Sequence, residues 1–174
     1  MGAESITVRR LGVHDLRAYK ALRDEVLERH PEAFTSDAPI ERQRRAEDYL
    51  QRLGLERPEG GHFTLGAWDG AALVGAIGLE RDPRPKVSHI GHVVGMMVHD
   101  DAQGRGIGSA LLEVLVALAR DPAGLELLTL TVTEGNDNAV GLYRRAGFTS
   151  FGVLPRAIRI GSAYHAKVHM VKML

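Results

Sequence analysis

Residues 103 to 109, Gln-Gly-Arg-Gly-Ile-Gly-Ser, put three glycines between an apolar run and a leucine-rich one. The run before them, Val93 Val94 Gly95 Met96 Met97 Val98, reads as a buried strand. After them Leu111, Leu112, Leu115, Val116, Leu118 and Ala119 recur at helical spacing. A helix that starts at a Gly-x-Gly bend leaves backbone N–H groups unpaired, with roughly half a positive charge at that end. Such an end binds anions, and a pyrophosphate suits it.

What the loop lacks narrows the ligand. A nucleoside triphosphatase loop needs Gly-Lys-Ser/Thr, and no such lysine is present. A dinucleotide fold wants Gly-x-Gly-x-x-Gly after the first strand of a βαβ unit. Here the pattern is Gln103-x-x-Gly106-x-Gly108, past the middle of the chain.

Further along, Asn136 Asp137 Asn138 Ala139 Val140 Gly141 Leu142 Tyr143 Arg144 Arg145 Ala146 Gly147 Phe148 gives an asparagine-rich helix start, a tyrosine and a Gly-Phe exit. The loop, its preceding strand and this helix together resemble the GNAT family of acyl-CoA-dependent N-acetyltransferases. The resemblance covers most of the chain, with weaker support from Pro31 to Phe34 and from Pro155 to Gly161 and Tyr164.

The order of elements agrees. Thr7 to Arg10 reads as a strand, and Leu16, Tyr19, Leu22, Val26 and Leu27 mark one face of a helix ending before Pro31. Residues 40 to 53 read as one charged helix, and 63 to 68 with 71 to 80 as a hairpin turning at Asp69-Gly70. Two prolines and four charges make 81 to 86 a loop. A strand over 88–98, a helix over 107–120, a strand over 126–133, a helix near 138–146 and strands near 148–153 and 164–172 complete the pattern. The expected class is α+β: a mixed, mostly antiparallel twisted sheet with helices on both faces, in one domain over 1–174.

Composition excludes several functions. Lys+Arg and Asp+Glu balance at 22 each, so no global basic field points to nucleic acid. The chain has no cysteine, hence neither disulfides nor a thiol nucleophile. No apolar run approaches the roughly 18 residues of a membrane span, and Met1 to Ser5 lacks a signal-peptide core. The expectation is a cytoplasmic protein without a membrane partner. His89, His92, His165 and His169 form no metal-binding pattern, so no metal is expected.

The resemblance implies acetyl-CoA as cofactor, held by the backbone of Gln103, Gly104, Arg105, Gly106, Ile107, Gly108 and Ser109, with Arg105 adding charge. It also implies a bulged strand whose N–H at Met97 or Val98 meets the thioester carbonyl. Backbone donors of that kind need no reorganisation as charge develops. Tyr143 falls at the family's tyrosine, a phenol that stays protonated at neutral pH and can return a proton to a leaving thiolate. Asn136 and Asn138 cap their helix and reach the cofactor arm.

Many family members carry a glutamate on the strand before the loop, but residues 90 to 98 hold no acid. Glu80, on the neighbouring strand, and His92 are the candidate bases; a water chain or an amine arriving neutral would need neither. By resemblance, Phe34 and Tyr164 line the acceptor side, and the chain reads Tyr164 His165 Ala166 Lys167 where many relatives have an acid. The acceptor is either a small amine or amino-acid-like molecule, or a protein amino terminus or lysine. A non-catalytic acyl-CoA-binding sensor is the alternative of another class, and a homodimer is a family-level expectation.

Overall fold

The computed structural model describes residues 6–174; Met1 to Ser5, with their bearing on targeting, lie outside the described residues. Strand β1 (Thr7–Arg10) leads into helix α1 (Leu16–Arg29), whose buried Leu16, Tyr19, Leu22, Val26 and Leu27 recur at helical spacing. A short helix α2 (Ala38–Arg42) and a 3-10 segment (Ala46–Leu53) follow. Strands β2 (Phe63–Asp69), β3 (Ala72–Arg81) and β4 (Ile90–Val98) precede helix α3 (Ile107–Arg120). Strand β5 (Leu127–Thr133), helix α4 (Asp137–Arg145) and the hairpin β6 (Thr149–Ile160) and β7 (Ala163–Met173) complete the chain.

The expected single helix over 40–53 is two pieces. Asp37 caps the first, accepting from the Ile40 N–H at 3.2 Å, and Pro39 sits in its first turn. Asp48 accepts from the Arg45 N–H at 2.9 Å and starts the second. Two competing caps break a run that composition alone makes look continuous. The last hairpin is longer than expected. Pairing with β7 lapses at Pro155, which has no N–H, and resumes at Ile158 opposite His165.

The strands form one sheet in the order β1-β2-β3-β4-β5-β7-β6. All neighbours are antiparallel except β4 and β5, which run parallel. That parallel pairing covers only Ile90, Gly91 and His92 against Leu127, Leu128 and Thr129. Beyond it β5 stays with β7 as far as Thr133, while β4 stays with β3 as far as Val98. The sheet therefore splits between its two central strands.

Each face has its own core. On one, Ile107, Leu111, Leu112, Leu115 and Ala119 of α3 pack with Phe63, Leu65, Ile77, Leu79 and Leu128. On the other, Leu16, Tyr19, Leu22 and Val26 of α1 pack with Tyr49, Leu53, Ala76 and Met97. Burying a side chain of this size stabilises the fold by roughly 1.5–3 kcal/mol. The architecture is α+β, as the patterning predicts.

Candidate active site

Where β4 leaves β5, a cleft of about 970 Å³ opens. Its walls come from the end of α1 and the turn after it, from Met96, Met97 and Val98, from the loop before α3, and from α4. That volume is at the upper end of ordinary small-molecule sites.

The loop side is built from backbone. Gly104 and Gly106 both have φ of +76°, a conformation that L side chains adopt only with strain, and a Cβ at either would meet nothing within 4 Å. Ala110 donates the first helical bond, to the Gly106 carbonyl. Among the described residues, the N–H groups from Gly104 to Ser109 find no backbone or side-chain acceptor. Gln103, Gly104, Gly106, Ile107, Gly108 and Ser109 all line the cleft. A consecutive run of free donors at a helix start fits a pyrophosphate.

Arg105 does not join them. Its guanidinium lies 2.6 Å from the Asp69 carboxylate in the β2–β3 turn, outside the cleft lining. Among the described residues the arginine on the cleft wall is Arg145 of α4. Its Nη1 lies 3.2 Å from where a Cβ on Gly141 would stand, so the side chain runs back along α4. Asn136 caps α4, accepting from the Ala139 N–H at 3.2 Å, and lines the cleft together with Asn138.

Loop and helix are tied together. Asp100 accepts from Gln103 Nε2 at 3.1 Å and Arg29 at 3.1 Å, and sits 2.7 Å from His30 Nε2. His30 and Arg29 hold its carboxyl below the usual carboxylate range. Nothing in the local sequence pattern points to this joint, because two of its partners, Arg29 and His30, stand at the end of α1.

Strand β4 carries the bulge. Gly78 pairs with Val94 and Ala76 with Met97, so β4 has one residue more than β3 over this stretch. Gly95 absorbs the bend with φ of +60°. Met96, Met97 and Val98, just past it, face the cleft.

The two candidate bases come together. Glu80, His92 and Thr129 form one row across β3, β4 and β5, and His92 Nδ1 shares a hydrogen bond of 2.7 Å with Thr129 Oγ1. Neither base lines the large cleft. Glu80 lines a small cavity beside the bulge, with Tyr19, Arg52 and Gly95.

Tyr143 and Tyr164 lie outside the cleft lining, while Phe34 is part of it. Tyr143 is 6% exposed in the core, its ring edge-on to Phe148 at 5.9 Å, while Ala139 and Leu142 form the adjoining cleft wall. Positions 138, 142 and 145 share a helical face from whose centre 143 is turned by roughly 130°. Burial raises the Tyr143 phenol well above its ordinary value, so it stays protonated, and its hydroxyl has no hydrogen-bond partner among the described residues. Tyr164 is 46% exposed, under the guanidinium groups of Arg156 at 4.8 Å and Arg159 at 5.8 Å. Its neighbour His165, on the opposite face of β7, lines the cleft instead.

An open seven-stranded sheet split by a bulged strand, with a glycine-rich anion cradle at the split, defines the acyl-CoA N-acyltransferase fold. A sequence model of the Acetyltransferase (GNAT) family matches residues 20–148, and the chain belongs to that family. It is 30% identical over 153 residues to an L-methionine sulfoximine/L-methionine sulfone acetyltransferase of Pseudomonas aeruginosa, covering 87% of this chain and 85% of the relative. It is 33% identical over 131 residues to a mycothiol acetyltransferase of Salinispora tropica, covering 75% of this chain but 40% of the relative. The chain thus spans about two fifths of the length of the mycothiol acetyltransferases it matches. A GNAT acetyltransferase structure from Streptococcus pneumoniae superimposes with a TM-score of 0.87 at 25% identity, covering 98% of this chain and 100% of that one. The fold is shared too with yncA of Salmonella typhimurium, solved with its cofactor acetyl-CoA, at a TM-score of 0.84 and 19% identity over 98% of this chain and 94% of that one. Among the described residues no helix is long and apolar enough to cross a membrane.

Proposed function

We propose that this chain is an acetyl-CoA-dependent N-acetyltransferase that acts on a small primary amine by direct attack in a ternary complex. The observation that carries the reading is the run of free N–H groups from Gly104 to Ser109, facing a cleft that ends at the gap between β4 and β5. The family uses acetyl-CoA, which supplies an activated acetyl group. Here the loop would hold its pyrophosphate, Asn136 and Asn138 its arm, and Arg145 would add positive charge.

The acceptor nitrogen forms a C–N bond to the acyl carbon as the C–S bond breaks. An N–H of Met97 or Val98, just past the bulge, receives the charge that builds on the carbonyl oxygen. Before attack the ammonium form gives one proton to the Glu80–His92 row. The second amine proton balances the departing thiolate, and Tyr143 is the proposed donor, since its hydroxyl is protonated and without another partner. Phe34 lines the acceptor end. A small acceptor is supported by the Pseudomonas relative, whose name gives an amino-acid substrate and whose length this chain nearly spans.

The test is calorimetric titration with acetyl-CoA, then a free-thiol assay on the same sample with amines and peptides. Binding with thiol release on amine addition is expected. Binding without release from any acceptor would leave an acyl-CoA sensor, and absence of binding would overturn the reading.

A further inference from the structure

Acidic side chains stop at Asp137. Residues 138–174, which form most of α4 and all of β6 and β7, carry six lysines and arginines and no aspartate or glutamate. Among the described residues none of the six is in an ion pair.

One of them, Lys167, stands beside the cleft. On β7 it pairs with Thr133, the last residue of β5, which lines the cleft. Residues opposite each other in an antiparallel pair share a face, as do residues two apart on one strand. His165, two residues before Lys167, lines the cleft too. Lys167 Nζ bonds the Thr35 hydroxyl at 2.6 Å, and Thr35 follows Phe34, a third cleft residue. Three residues of the cleft wall therefore flank a primary amine that the proposed mechanism does not use.

The amine is also chemically suited to attack. Lys20 pairs with the Asp24 carboxylate, which favours its proton, whereas the Thr35 hydroxyl favours neither form: it accepts from an ammonium and donates to a neutral amine. Burial lowers the Lys167 ammonium below the ordinary lysine value, which enlarges the neutral fraction. Release of that one hydroxyl contact frees a flexible four-carbon stem to swing toward the cleft.

We propose that Lys167 is a self-acetylation site, its Nζ taking the acetyl group of acetyl-CoA bound in the same chain. The inference rests on the acetyltransferase reading above and adds an internal acceptor to that site. The ammonium first gives a proton to solvent. The neutral Nζ then forms a C–N bond to the acyl carbon as the C–S bond breaks. A second proton leaves the nitrogen and the departing thiolate is protonated, which yields N-acetyl-lysine and free CoA. The amide is uncharged, so each modified chain loses one cation beside the cleft.

The test incubates the whole chain with acetyl-CoA and no added amine, follows acetylation by intact mass, and locates it by peptide mass mapping. Acetyl-CoA affinity is measured on the same sample. Lys167 is expected to acquire one acetyl group at least about tenfold faster than Lys20, Lys86 or Lys172, a small part of what holding an amine beside its acyl donor can give. The rate per chain is expected to be independent of protein concentration; a rate that rises with concentration would put the transfer between copies and overturn the inference. Lys167→Arg keeps the charge and is expected to stay unmodified at unchanged acetyl-CoA affinity. Gly106→Asp, which obstructs the cradle, is expected to lose the modification, and undiminished acetylation there would mean reaction with free acetyl-CoA in solution, which also overturns the inference. Acetyl groups spread evenly over the lysines, or none despite bound acetyl-CoA, would overturn it and leave the acetyltransferase reading intact. Failure of acetyl-CoA to bind would instead be failure of the acetyltransferase reading itself.

Discussion

The two sides of the split sheet are built by different means. Along the large cleft the free groups are main-chain N–H groups at the start of α3. Around the small cavity beside the bulge they are side chains, Arg52 and Glu80 among them, supplied by segments distant in sequence. Backbone recognition needs particular conformations, and those leave glycines in the sequence. Side-chain recognition needs only that a residue arrive at the right register, which a sequence records no differently from any surface charge.

The sharpest way to break this contrast is to put a side chain into the backbone cradle. Gly106→Asp adds strain at a φ of +76° and sets a carboxylate where the pyrophosphate would lie. Acetyl-CoA affinity is expected to fall by more than about 10³-fold in calorimetry, repulsion adding to lost donors. Gly106→Ala carries the strain without the charge and is expected to lose about tenfold, roughly the strain alone. Equal, small losses in both would show that the cradle does not hold the phosphates.

The layer of α1, α2 and the 3-10 segment depends instead on how it is fastened. Arg23 Nε lies 2.9 Å from Glu41 Oε2, with both side chains buried, and Tyr49 donates to the same oxygen at 2.7 Å. Burial pushes the Glu41 carboxyl up, but the bonds from Tyr49 and Arg23 outweigh it and hold it below its usual value. Burial and the Glu41 bond push the Tyr49 phenol up to about 12. Glu41→Ala strands the Arg23 charge and is expected to cost about 3–5 kcal/mol in chemical denaturation at pH 7. Because the folded carboxyl titrates below its unfolded value of about 4.3, the pair's contribution is complete above that pH and fades as pH falls through the folded value. Native and variant proteins are therefore expected to converge in stability as pH falls below that folded value. A constant difference would assign the loss to packing.

How much of this is legible in the sequence follows the same division. The loop from Gln103 to Ser109, the asparagine cap of α4 and most strand boundaries are local patterns, and the structure places them where the patterns fall. The break at residues 43–45 is set by two caps competing within one charged run. Arg105 stands among the loop's glycines in sequence, whereas its partner Asp69 is supplied by another turn. Asp100, Arg145 and Arg52 carry no local signature; their surroundings exist only once α1, α4 and the 3-10 segment pack.

Tyr143 lies between the two regimes, at a position the family resemblance singles out yet with its ring in the core. Tyr143→Phe keeps the packing against Phe148 and removes only the hydroxyl, which has no hydrogen-bond partner among the described residues. Turnover is expected to fall about 10²-fold, the scale of general acid catalysis, with melting temperature and acetyl-CoA affinity unchanged. Unchanged turnover would make the residue a packing element.

The smallest effect separates two arginines of equal formal charge. Arg145 lines the cleft and, among the described residues, forms no ion pair, so its charge is available to a phosphate. A charge-assisted bond at such a site is worth about 1.5–3 kcal/mol, and Arg145→Ala is expected to weaken acetyl-CoA at least tenfold. Repeating the titration with 3′-dephospho-acetyl-CoA locates the contact: a loss that vanishes puts Arg145 on the ribose phosphate, and a loss that persists puts it on the pyrophosphate. Arg105 is nearer the loop in sequence, but its guanidinium is committed to Asp69 at a partly exposed ion pair. Pairs of that kind contribute about 0–1 kcal/mol, so Arg105→Ala is expected to change affinity less than about twofold. Reversal of the two magnitudes would mean that Arg105 leaves Asp69 when the ligand arrives, and the donor side would then rely on a mobile side chain as well as on its backbone.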